Sequence, residues 1–309
     1  MNNLEKVPLR IRLINVYALL FILLGAVLIG SVVFLKSLEF LLHTSISDSD
    51  KLFQALENQP LAQQYLFIAQ ALTALVSFIL VPLLVIFFVW PDLQLIFTTH
   101  FHRFGELLLL AVLITIVSVP IIACLSEFNR DILHLPAQYQ GVEDWMKSSE
   151  AEAEKLTNLL VYFSNYKQLM WGLLVIAILP ALGEELLFRG VIQTQLTKAL
   201  LNPHLAILIT GFLFSFIHFQ FFGFIPRMFL GVIFGYLFYW SGSIWVPVCM
   251  HFTNNALSYF AMNFYKQQKI QVDLESTKDL SPLLIAISGI LFIFLLFRFY
   301  KLNRRTSIL

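Results

Sequence analysis

PALGEELLFRGVIQ, residues 180–193, is the stretch on which the fold turns. The sixteen residues before Glu184 (168–183) carry no charge, and more apolar chain follows Arg189. Between lie Glu184, Glu185 and Arg189. A charge at the centre of a helix in lipid costs about 2.5–3.5 kcal/mol on insertion scales, so three in one span demand partners or a function.

The rest of the chain agrees that this is a span. Its 309 residues are 59% hydrophobic and 13% charged, whereas a soluble globular chain carries about 25% charged residues. A net charge of +1 supplies no basic field to gather phosphates, which excludes a nucleic-acid partner. Cys124 and Cys249 both lie in apolar runs. They fit neither a disulfide framework nor a zinc-ligand spacing and are expected to be packing residues.

Uncharged runs near 20 residues mark eight expected membrane helices, at about 13–35, 64–90, 106–127, 168–197, 204–222, 227–241, 244–264 and 281–300. The expected fold is therefore an all-α membrane protein, a bundle of about eight transmembrane helices forming a single polytopic domain over 1–309. The first run, Leu13 to Leu35, is too long for a signal-peptide core and lacks a small-residue cleavage site behind it, so it reads as a retained span. Only SGSIWVP (241–247) separates the sixth and seventh spans.

Lys6, Arg10 and Arg12 at one end and Arg298, Lys301, Arg304 and Arg305 at the other place both termini in the cytoplasm. An even number of spans agrees. The loops 36–63 and 128–167 then lie outside. Within the second, Trp145, Leu156, Leu159, Leu160 and Phe163 recur at near-helical spacing, which predicts an extra amphipathic helix on the outer surface or over the bundle. No internal repeat is visible.

Glu185 and Arg189 stand four apart and can pair on one helix face, which by itself reads as a structural ion pair. Glu184 is rotated about 100° from Glu185 and has no local partner. In FSFIHF (214–219), Phe214 and His218 are four apart; in HFTNNA (251–256), His251 and Asn255 are four apart. Each His or Asn alone reads as interhelical hydrogen bonding. Together, two carboxylates, an arginine, two histidines and an amide make a hydrolytic set. A carboxylate can act as general base on water, a neighbouring His can hold that water, and His and Asn can donate to an oxyanion. Glu184, Glu185, His218 and His251 are also zinc-ligand types, so a zinc site stays open, although the chain lacks His-Glu-x-x-His.

The three motifs, Glu184-Glu185-x-x-x-Arg189, Phe214-x-x-x-His218 and His251-x-x-x-Asn255, resemble in order and spacing the signature of the CPBP family of CAAX-protease and bacteriocin-processing (Abi) membrane proteases. The resemblance covers about 165–265, the catalytic core; residues 1–165 carry no signature. It implies that Glu184 activates water and His218 assists. It further implies that His251 and Asn255 stabilise the oxyanion, that Glu185 and Arg189 support the site, and that Phe214 lines the cavity. The family has been described both as metal-dependent and as working through a metal-free glutamate, and the oxyanion role of the His–Asn pair favours the second.

The reading that results is an intramembrane endopeptidase in the cytoplasmic membrane. Its partners are membrane lipid and a peptide or protein substrate: a prenylated C-terminus, a small peptide or a membrane-protein tail. Two alternatives are a non-catalytic immunity or scaffold protein of the same family and a proton-coupled transporter. The transporter predicts internal symmetry that the sequence does not display. At 1.5 Å per residue, Glu184 lies about 24 Å along its span and His251 about 11 Å along its own, both toward the inner leaflet, whereas His218 comes out about 10 Å too deep. Either the fifth span begins below the membrane surface or the helices tilt. A site open to the cytoplasm is the expectation.

Overall fold

The computed structural model describes residues 9–97, 103–133, 135–269, 277 and 280–303. Lys6, Arg304 and Arg305, used above for orientation, lie outside the described residues. The described elements, all helical, run in order as follows. α1 is Leu9–Leu42, α2 Ser49–Glu57, α3 Ala62–Val89, α4 Phe104–Ile132 and α5 Gln140–Leu160. Then come α6 Tyr166–Leu200, α7 Pro203–Phe216, α8 Phe224–Ser241, α9 Trp245–Lys266 and α10 Pro282–Asn303.

Every expected span is a helix. Six stretches are long and apolar enough to cross a membrane: α1, α3, α4, α6, the segment 221–241 containing α8, and α10. The other two carry the second and third motifs. α7 has only 14 residues. α9 has 22, but its apolar character is diluted by His251, Thr253, Asn254 and Asn255. The protein is an integral membrane protein. One continuous core joins α1, α3, α4, α6, α8, α9 and α10. The expected turn at SGSIWVP is made by Gly242, whose φ of 65° ends α8 in the left-handed region while its N–H bonds the Phe238 carbonyl at 2.8 Å.

The amphipathic helix is present as α5. Its Met146 and Leu160 are buried, and Leu156 packs on a second apolar cluster shared with α1 and α3. Trp145 stays half exposed with its ring 5.3 Å from that of Phe221. Phe163 falls beyond the helix and packs on Tyr259, with ring centres 5.2 Å apart. The helix thus lies across one end of the bundle. Lys266, at the end of α9, donates to its Asn158 carbonyl, and the Phe222 amide before α8 donates to Glu150. At the opposite end, Arg298 near the end of α10 bonds Glu106 at the start of α4, and the Trp245 indole at the start of α9 bonds the Phe97 carbonyl.

The lengths of α6 and α7 bear on the depth of His218. α6 has 35 residues, roughly 50 Å of helix against about 30 Å of hydrocarbon. The chain reverses at Leu201, which has φ 55°. α7 then climbs back only 14 residues and ends two residues short of His218. Stretches of π-helix, which the apolar pattern did not foretell, widen α3 at 74–80 and 85–89 and α6 at 173–178 and 186–193. The π pattern flanks the two glutamates on both sides, and such bulges concentrate at functional sites.

Candidate active site

Glu185 is the centre of the cluster. It is fully buried, and its Oε1 accepts from Arg189 Nη1 at 2.9 Å and from His251 Nδ1 at 2.8 Å. The first bond is the i,i+4 pair expected from the sequence; the second crosses from α6 to α9. Arg189, also fully buried, donates from Nη2 to the Gly231 carbonyl on α8 at 2.8 Å. Its guanidinium lies 4.8 Å from the centre of the Phe214 ring and 5.2 Å from that of Phe234. Cation–π contact with desolvated rings offsets part of the cost of the buried charge.

The two histidines are held by their Nδ1 atoms. His218 Nδ1 lies 2.7 Å from the Phe214 carbonyl, which can only accept, so Nδ1 carries the proton. His251 Nδ1 faces the Glu185 carboxylate and donates likewise, with its ring stacked on Phe234 at 5.0 Å. With Nδ1 so engaged, the other ring nitrogen, Nε2, is the one each histidine turns toward Glu184. Those two atoms point at one Glu184 oxygen, His218 Nε2 at 3.9 Å and His251 Nε2 at 4.0 Å. Glu184 Oε2 has no hydrogen-bond partner in the protein. Glu184 and His218 keep some exposure, with 16% and 27% of their side chains accessible.

Close helix packing sets these distances. Gly183, directly before Glu184, lies so near α3 that a Cβ there would stand 2.7 Å from Phe78 Cβ and 3.1 Å from its carbonyl carbon. Gly231 lies against Gly211, its would-be Cβ 3.1 Å from the Gly211 Cα, which brings α8 within reach of Arg189.

The expected site residues Glu184, Glu185, Arg189, Phe214, His218 and His251 come together. Asn255 stands one turn along α9 and does not bond to this cluster. Pro180 has no N–H to give the Ile176 carbonyl four residues before it, and Asn255 Nδ2 donates there at 3.2 Å. Its second amide hydrogen remains for other use.

As a zinc centre the residues do not fit. Glu185 Oε1 is engaged by Arg189 and His251, and its Oε2 is buried without a hydrogen-bond partner. The remaining donors stand 3.9 and 4.0 Å apart, wider than the roughly 3.3 Å that bonds of about 2.0–2.1 Å give in a tetrahedral site. Among the described residues no group of three His, Cys, Asp or Glu is spaced to hold a metal ion. Cys124 and Cys249 are free and partly buried.

Sequence reading missed Arg227 and Gln220. Arg227, on the first turn of α8, donates Nη2 to Gln220 Oε1 at 2.6 Å beside the His218 turn. Its signal was present, a single cation opening a span three residues after Phe224, but it was taken as a boundary. The turn that carries it is roofed by α5 through Glu150 and Trp145, at the end of the bundle away from the close of α10. If the termini are cytoplasmic, that turn lies toward the outer side of the membrane.

Fold and site together define a membrane-embedded carboxylate–histidine cluster. Residues 166–257 match the family described as type II CAAX prenyl endopeptidase Rce1-like, in keeping with the CPBP resemblance of the three motifs. The match supports a membrane endopeptidase family. An uncharacterised protein, YpbD of Bacillus subtilis, is 27% identical over 116 residues, 36% of this chain. The chain spans 57% of that relative's length. No solved structure matches the chain.

Proposed function

We propose that the protein is an intramembrane endopeptidase that hydrolyses a peptide bond with a water activated by Glu184. The observation that carries this reading is the convergence of His218 Nε2 and His251 Nε2 on Glu184 Oε2, at 3.9 and 4.0 Å. A water among them gives its hydrogens to two and turns a lone pair toward a carbonyl carbon. Glu184 takes one proton as the water oxygen bonds that carbon. The same proton passes to the amine nitrogen as the C–N bond breaks. His218, locked by the Phe214 carbonyl, holds the water's second hydrogen.

His251 has a conditional role. Neutral, it offers only a lone pair from Nε2. It donates to the oxyanion once protonated, and Glu185 at 2.8 Å stabilises that imidazolium, as carboxylates do in hydrolytic triads. Asn255 supplies its remaining amide hydrogen to the same oxygen.

The substrate is a prenylated C-terminal peptide, a small peptide or a membrane-protein tail. In the cytoplasmic membrane with both termini inside, the turn that carries His218 lies toward the outer side, which suits a secreted peptide or an outward tail. A prenylated cytoplasmic protein requires the reverse orientation. The test is cleavage of a peptide library by purified wild type and Glu184→Gln, each with and without a tight zinc chelator. Loss in Glu184→Gln with retention under chelator supports the reading. Equal cleavage by wild type and Glu184→Gln overturns it.

A further inference from the structure

We propose that the α5 end of the seam between α6 and α9 binds one anionic glycerophospholipid, its phosphate on Lys167 and Lys269 and an acyl chain along α6. The site is separate from the Glu184 cluster, and its occupant is membrane lipid rather than substrate.

Two cavities that share the Tyr166 side chain place it. The first is a polar pocket of about 270 Å³ walled by Ser164, Asn165, Gln267 and Lys269. The second is a groove of about 540 Å³ walled by Met170, Leu173, Leu174, Ile178 and Phe252, with Lys167 beside Tyr166 at its upper end. Because Tyr166 lines both, one molecule can fill them together. The helix from Tyr166 to Ile178 rises about 18 Å at 1.5 Å per residue, against about 15 Å for half of a bilayer's hydrocarbon core. The groove therefore has the length of a chain from one leaflet.

The polar groups of the pocket are already engaged with one another. Asn165 Oδ1 accepts the Gln168 amide at 3.0 Å, and the Ser164 hydroxyl and Asn165 Nδ2 both donate to Gln168 Oε1. Gln267 Nε2 donates to the Phe163 carbonyl and to Asn263 Oδ1. What remains to recruit a ligand is cationic. Lys167 and Lys269 are exposed, and neither forms an ion pair among the described residues. Lys269 lies over the Phe264 ring, 5.8 Å from its centre, a contact that steadies the ammonium without adding a negative charge.

Tyr166 and Trp171, both exposed, are amphipathic rings of the kind that sit at the headgroup level. Lysines at that level attract an anionic headgroup, each by about fivefold in affinity. A soluble phosphate would leave the groove empty, and a bare hydrocarbon chain would leave the lysines without a counter-charge. A glycerophospholipid satisfies both. Its chain covers the stretch of α6 whose Ile176 carbonyl accepts Asn255 Nδ2 at 3.2 Å, so occupancy braces the helix pair that carries the candidate active site.

The test reconstitutes the full-length protein in phosphatidylcholine bilayers with increasing fractions of phosphatidylglycerol brominated at mid-chain. Quenching of Trp171 is read as the difference between wild type and Trp171→Phe, with brominated phosphatidylcholine as the zwitterionic control. Treated as exchange at one site, phosphatidylglycerol should be preferred about 25-fold, fivefold for each lysine. Lys167→Gln and Lys269→Gln should each leave a preference of about fivefold, and the double variant none. Equal quenching by the two lipids, or a preference unchanged in the double variant, overturns the proposal. Relief of quenching by millimolar glycerol phosphate would show that the head binds without the groove. Relief by a farnesylated peptide would give the groove to a substrate chain. Either result overturns the phospholipid assignment.

Discussion

Replacing Arg189 by Met should destabilise the protein by about 3–5 kcal/mol, the cost of breaking a buried ion pair by removing one partner. The structure explains the size. The substitution removes the Nη1 bond to Glu185 at 2.9 Å, the Nη2 bond to the Gly231 carbonyl at 2.8 Å, and the packing between Phe214 and Phe234. It leaves the Glu185 carboxylate with no exposure and His251 as its remaining polar contact. Met fills most of the volume, so the loss is electrostatic. The double variant Arg189→Met with Glu185→Gln removes both charges. It should recover about 2–3 kcal/mol, because matched neutral groups avoid the penalty of a buried unpaired charge. Reversible unfolding titrations in mixed micelles on wild type, both single variants and the double variant give the coupling directly. An Arg189→Met loss under about 1 kcal/mol, the scale of an exposed pair, would refute the assignment of this arginine as the counter-charge. Strict additivity in the double variant would do the same.

Other expectations follow from single contacts. Gly183→Ala forces a Cβ to 2.7 Å from Phe78 Cβ and should cost about 1–3 kcal/mol while lowering cleavage, read by melting and turnover together. His218→Phe keeps the packing on Phe214 but offers no lone pair, and should lower kcat by about 10²–10⁴-fold with little change in melting. Asp48 caps α2, and bonds from the Ser47 hydroxyl and then the Lys51 amide hold its carboxyl below the usual range. A lowered folded value stabilises above the unfolded pKa of about 3.9 and is lost as pH falls through the folded one. Hydrogen exchange should therefore report α2 opening on acidification below that range, and Asp48→Asn should remove that dependence. A thiol at Ser148→Cys, on the exposed face of α5, should react with an impermeant reagent added outside whole cells if the termini are cytoplasmic; reaction only after lysis would reverse the orientation.

Much of this was legible from sequence because it is local. Uncharged runs near the thickness of a bilayer must be helices, since no other backbone satisfies itself in lipid away from a barrel. All eight expected segments are helices, and the amphipathic stretch at 140–160 is one as well. The Glu185–Arg189 bond was readable for the same reason, because i,i+4 spacing belongs to the helix itself. What tertiary structure alone decided is which groups meet across helices. Nothing in the spacing said that His251 pairs with Glu185 while its far nitrogen faces Glu184, or that Asn255 is drawn to a carbonyl that Pro180 leaves without its usual donor. Nor did it say that Arg227 reaches back to Gln220 beside the His218 turn. Those meetings depend on how closely and at what height helices cross, set here by the length of α6, the shortness of α7, and the bare faces of Gly183, Gly211 and Gly231. A sequence records the residue at each of these positions; only the packed bundle determines what lies opposite it.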